Sequence, residues 1–85
     1  MLEQVVKSSA SLESRNAAMF VQTAGKFKSN VRVNMENKTV NAKSIMGVMA
    51  LSVNADNTVN IVADGEDEQQ AVKELSEFIV AMGPA

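Results

Sequence analysis

The chain has 85 residues, 46% of them apolar, and a formal net charge of -2, the profile of one small domain, 1–85, rather than a fibre or a disordered tail. It contains no Cys and no His, which excludes disulfide frameworks, thiol nucleophiles, imidazole acid–base chemistry and metal sites built on Cys or His. No apolar run approaches the roughly 20 residues that span a bilayer, and Met1 to Lys7 lacks the basic start and apolar stretch of a secretory leader, so a cytoplasmic protein without a membrane segment is expected.

Leu2 to Lys7 reads as a short strand, and the Ser-rich stretch Ser8 to Ser14 as a loop. From Arg15 onward Ala17, Phe20, Val21, Ala24 and Phe27 recur at helical spacing, which predicts a helix ending near Gly25; Met19 falls off that stripe. Asn30 to Met35 alternates strictly between apolar and polar residues, and Glu36-Asn37 is a two-residue turn into a hairpin partner, Lys38 to Asn41. Ser44 then precedes an apolar run ending near Val53, and Asn54 to Asn57 forms a loop. Thr58 to Ala63 alternates again, with Val59 and Ile61 on the side opposite Asn60 and Val62. In the last segment Ala71, Val72, Leu75, Phe78, Ile79 and Met82 form a helical stripe. Asp64, Glu66, Asp67 and Glu68 precede it, where the helix dipole favours acids, and Gly83-Pro84 is a stop. Four strands with a central hairpin and intervening helices predict an antiparallel sheet with all helices on one face.

Charge divides the chain. Met1 to Lys43 carries a net +4 and Ser44 to Ala85 a net -6. With no Lys/Arg cluster of any length, no Trp or Tyr and three Phe, direct nucleic-acid binding is not expected, whereas a basic patch for an acidic protein partner is compatible with the first half.

The segment Lys43 to Leu51 stands out. Wound as a helix, it places Gly47, Val48 and Leu51 on one side and Ile45, Met46 and Met49 on the other, so both sides are apolar. Either the helix is sunk into the core on both sides or the second side is a docking patch, for which methionine is well suited. Ser44 stands at the N-cap position, where its hydroxyl can accept from the helix's first N–H groups; the same position would also tolerate a phosphate.

Three runs, Val21-Gln22-Thr23-Ala24-Gly25-Lys26-Phe27, Lys38-Thr39-Val40-Asn41-Ala42-Lys43-Ser44-Ile45-Met46-Gly47-Val48-Met49-Ala50-Leu51 and Gly65-Glu66-Asp67-Glu68, resemble the HPr family of the bacterial sugar phosphotransferase system. The Lys-Ser-Ile-Met-Gly segment is similar to its Gram-positive branch. The resemblance implies an α+β open-faced β-sandwich: a four-stranded antiparallel sheet in order 1-4-2-3 with three helices on one face. The family's phosphocarrier centre, Gly, an apolar residue, His, Ala, Arg, Pro, Ala, corresponds to Ser11, Leu12, Glu13, Ser14, Arg15, Asn16 and Ala17. Glu13 therefore occupies the phosphohistidine position. A carboxylate cannot carry phosphate through an N–P bond, and its charge repels a phosphoryl donor. The chain is in this respect similar to the Crh-like, catabolite-repression branch.

That resemblance implies a set of roles. Ser44 matches the serine phosphorylated by HPr kinase/phosphorylase from ATP or pyrophosphate; Arg15 matches the active-centre arginine; Ala18, Ile45, Met46 and Met49 match contacts to catabolite control protein A. It implies no cofactor and no metal, and it includes dimers made by exchanging the first strand, which the Ser-rich loop after Lys7 would permit. Three functions stand side by side: a phosphoserine-regulated binding protein that is not an enzyme; a phosphocarrier, or a carrier-like decoy, which the missing His disfavours; and an acylphosphatase-like hydrolase using Arg15 and Asn16, which the missing glycine-rich phosphate loop disfavours. Glu13 is either a solvated loop acid or a permanent charge imitating the phosphorylated carrier.

Overall fold

The structure is a computed structural model and describes residues 1–83. In chain order it comprises β1 (Leu2–Lys7), α1 (Ser14–Ala24), β2 (Asn30–Met35), β3 (Lys38–Asn41), α2 (Ile45–Leu51), β4 (Thr58–Asp64) and α3 (Glu68–Ala81). The strands form one sheet in the order β1-β4-β2-β3, and each neighbouring pair is antiparallel. The expected α+β open-faced sandwich is thus the observed one. Among the described residues no helix is long and apolar enough to cross a membrane.

The alternation in β2 decides which face of the sheet is covered. Val31 and Val33 lie opposite Ala63 and Ile61 of β4, and all four are at most 2% exposed. Phe20 from α1, Val48 and Leu51 from α2, and Leu75 and Ile79 from α3 complete the core over this face. Each such side chain contributes about 1.5–3 kcal/mol on burial, so this layer is the main source of stability. The Phe20 and Phe78 rings, with centroids 5.8 Å apart and tilted, join α1 to α3.

The other face is open and largely polar, with Asn34 of β2 between Asn60 of β4 and Thr39 of β3. Val62 lies on this face, as the alternation predicts, yet it is buried. It sits on a central strand with Glu3 of β1 and Arg32 of β2 in register on either side.

Several boundaries differ from expectation. The first helix begins at Ser14 rather than Arg15, and β4 continues to Asp64. Phe27 lies beyond the end of α1, so it is not part of the helical stripe. It still reaches the core, because the turn after Gly25 folds back, with Phe27 N–H donating to Ala24 O at 3.2 Å. Helix α3 ends at Ala81 with Met82 extended; of the predicted stop, Pro84 lies outside the described residues.

The turn from β4 into α3 presses against the α1–β2 connection. A Cβ at Gly65 would lie 2.6 Å from Ser29 Oγ and 2.7 Å from Ser29 Cα, so the approach requires glycine. Asp67, expected as dipole compensation, has a more specific task. Its carboxylate makes no cap bond to its own helix and instead accepts from Lys28 N–H at 2.8 Å, Ser29 N–H at 2.9 Å and the Ser29 hydroxyl at 2.5 Å.

Candidate regulatory and docking site

Helix α2 is set in place by the turn that precedes it. Asn41 accepts twice, its side-chain oxygen from Lys43 N–H at 2.8 Å and its carbonyl from Ser44 N–H at 3.1 Å. The Lys43 ammonium donates to Phe27 O at 2.6 Å, tying this turn to the end of α1. Ser44 has extended backbone angles, φ -106° and ψ 115°, and its Oγ accepts from Gly47 N–H at 3.1 Å. This is the N-cap geometry that the sequence predicts. Gly47 fits closely beneath it, since a Cβ there would stand 3.3 Å from Ser44 Oγ and 3.4 Å from Val40 Cβ.

Only one of the helix's two apolar sides is buried. Val48 and Leu51 are fully enclosed, whereas Ile45 is 38%, Met49 47% and Met46 80% exposed. Of the two alternatives that the sequence left open, the helix sunk on both sides is therefore excluded and the one with an exposed apolar side is observed. A helix of seven residues in contact with α1 and β3 has neighbours for one face alone. Met19, on α1, is also exposed, at 46%. Its position off the α1 stripe was the sequence signal for this.

Glu13, Arg15 and Ala18 are all exposed on or beside the first turns of α1. Glu13 makes no side-chain cap bond, and among the described residues neither Glu13 nor Arg15 belongs to an ion pair. Ser14 adopts φ 51°, a left-handed conformation that costs a non-glycine residue about 1–2 kcal/mol. The loop before it is nevertheless firmly held. Ser8 N–H donates to Asn57 O at 2.8 Å, Leu12 N–H to Val53 O at 2.9 Å and Ser9 Oγ to Met82 O at 2.7 Å, and the Leu12 side chain is 1% exposed.

Asn16 had no functional signature of its own beyond its pairing with Arg15, and the structure gives it another part. It is buried, and its Nδ2 donates to Ser11 O at 3.1 Å and Gly83 O at 2.8 Å. It thereby fastens the Glu13 loop to the end of α3. Its backbone N–H, which a proline would lack, donates to Glu13 O at 3.1 Å. With its amide hydrogens committed in this way, Asn16 does not present them to a substrate phosphate beside Arg15. Arg15, Asn16 and Met19 face Phe78 and Met82 across a cleft of about 310 Å³.

The comparisons with known proteins agree with this architecture. The family described as the PTS HPr component phosphorylation site matches residues 2–81. The HPr-like protein Crh of Bacillus subtilis is 45% identical over 74 residues, covering 87% of each chain. Among solved structures, HPr-C-His from Thermoanaerobacter tengcongensis superposes with a TM-score of 0.88 at 47% identity, covering 93% of this chain and 91% of that one. Crh of Bacillus subtilis, described as a dimer with a swapped domain, superposes with a TM-score of 0.78 at 41% identity, covering 92% and 90%. A family match over nearly the whole length and relatives at this identity leave one conclusion: the chain belongs to the HPr family.

Proposed function

We propose that this protein is a regulatory member of the family, phosphorylated on Ser44 by HPr kinase/phosphorylase and then bound by catabolite control protein A as a corepressor. The observation that carries this reading is a pairing within one chain. Glu13 stands where the carrier histidine would be, and the chain has no other His, while Ser44 caps a helix whose outer side exposes Ile45, Met46 and Met49. Phosphotransfer through histidine is impossible here, whereas the capped Ser44 beside an exposed apolar helix side supports a serine-regulated docking surface. In this reading the protein is a substrate and a ligand rather than an enzyme, it acts in the cytoplasm, and the regulator alone contacts DNA.

The helix N-terminus favours the modification. A phosphate on Ser44 would face unpaired N–H groups and the positive end of the α2 dipole, which favours an anion by about 0.3–1 kcal/mol. The added charge would stand at the start of the helix that exposes Met46 and Met49, so the partner must offer cations next to an apolar recess. Arg15 and Ala18, both exposed on α1, are the further partner contacts of this reading.

Exchange of β1 between two copies is part of the same proposal, supported by the swapped dimer of the Crh relative and by β1 being an edge strand with mostly exposed side chains. Light scattering over a range of concentrations checks it.

Intact mass after incubation with HPr kinase/phosphorylase and ATP tests the modification. One phosphoryl group on the parent and none on Ser44→Ala is the expected result. An unmodified parent would reduce Ser44 to a helix cap and remove the regulatory reading.

A further inference from the structure

The composition and the exposure pattern converge on a chemistry that phosphorylation does not use. The chain has six Met and no Cys, His, Trp or Tyr, so thioethers are its readily oxidised side chains. They are unevenly placed. Met46 is 80% and Met49 47% exposed, both on α2, whereas Met19, 46% exposed on α1, faces Phe78 and Met82 across the cleft beside α3. Met82 is 8% exposed, and Met35 is half-buried against the core. Met1, 69% exposed, lies at the β1 edge of the sheet, whereas α2 packs on β3 at the opposite edge.

We propose that Met46 and Met49 form a reversible oxidation site, at which sulfoxidation by hydrogen peroxide switches off docking on the exposed side of α2. The effect on docking rests on the function proposed above; the oxidation site itself does not. A lone pair of the thioether sulfur attacks one peroxide oxygen, the O–O bond breaks and an S–O bond forms. The remaining oxygen leaves as water after taking up the proton from the transferred one. Sulfur loses two electrons and the peroxide gains them. Sulfoxide reductases reverse the change with a thiol reductant.

The consequence for binding follows from desolvation. A methionine thioether adapts its shape to an apolar recess and brings almost no polar surface, while a sulfoxide brings a strong acceptor that must be stripped of water. Met46 would be modified first, being the most exposed. Oxidation would leave the core intact, because Met82 and Met35 are shielded.

The experiment treats the Ser44-phosphorylated chain with graded hydrogen peroxide. It maps oxidised peptides by mass and measures binding to catabolite control protein A before and after sulfoxide reductase treatment. The expected order of oxidation places Met46 before Met49 and Met19, and Met82 last. The oxidised parent should bind at least about tenfold more weakly and recover after sulfoxide reductase treatment. Undiminished binding by a parent oxidised at both Met46 and Met49 would overturn the switch. Oxidation of Met82 as fast as Met46 would overturn the site. If the unoxidised phosphorylated parent fails to bind at all, it is the docking function that fails, and the order of oxidation still decides the site.

Discussion

The Oγ of Ser44 accepts a hydrogen bond from Gly47 N–H at 3.1 Å, so the residue proposed to carry the phosphate is also the residue that closes the first turn of α2. Removing it therefore has a structural effect separate from any regulatory one. Ser44→Ala should lower stability by about 1 kcal/mol, and Ser44→Asp, which keeps an acceptor and adds a charge at the positive end of the helix, should restore most of it. Urea denaturation of the three proteins checks this. Equal midpoints for parent and Ser44→Ala would show that the cap contributes nothing.

Asn16 joins Ser11 O to Gly83 O through one side-chain amide. Asn16→Ala leaves both carbonyls without that donor, in a place where the residue itself is 6% exposed. A loss of about 1–3 kcal/mol is expected in chemical denaturation, with faster amide exchange in the Ser8 to Glu13 loop.

The acid limb of stability should depend on Asp67. Its carboxyl is held below the usual carboxylate range, first by the Ser29 hydroxyl and then by the Lys28 and Ser29 N–H groups. A depressed folded-state value means that the stabilisation is present above the unfolded value and is lost as pH falls through the folded one. Asp67→Asn should therefore be less stable than the parent at neutral pH, and the gap should narrow in acid. Glu68 is lowered as well, by Gly65 N–H and then by the chain's amino terminus, so Asp67→Asn should flatten the acid limb without abolishing it.

The amino terminus acts in the opposite direction. Met1 N lies 3.1 Å from a Glu68 carboxylate oxygen and 3.7 Å from one of Asp64, and the Glu68 hydrogen bond raises the ammonium above its ordinary value. A raised value gives stabilisation that is complete below the unfolded value and is lost as pH rises through the folded one. Thermal unfolding of the free and the Nα-acetylated chain should thus differ at neutral pH and converge in alkaline solution. A difference that grows with pH would contradict the pairing.

The fold was largely legible in the sequence because its elements differ in period. Val31, Val33 and Met35 alternate, the α3 stripe from Ala71 to Met82 follows the helical repeat, and each pattern requires one covered face. What stayed hidden depends on contacts between distant segments. Nothing local marks Leu12 as a core residue in a Ser-rich loop, Asn16 as a link to Gly83, or Asp67 as the acceptor for Lys28 and Ser29. The candidate site was legible for a different reason. Seven residues, Ile45 to Leu51, carry apolar side chains on both sides of a helix, and the structure decides which side is covered: Val48 and Leu51 go inward and Met46 does not.

The central claim is that phospho-Ser44 and the exposed side of α2 act as one docking unit. Its most direct test is calorimetric titration of catabolite control protein A with the unmodified chain, the Ser44-phosphorylated chain and the phosphorylated Met46→Asp variant. Binding by the phosphorylated parent alone is the predicted result. Equal binding by the unmodified chain, or undiminished binding by the Met46→Asp variant, would contradict the account.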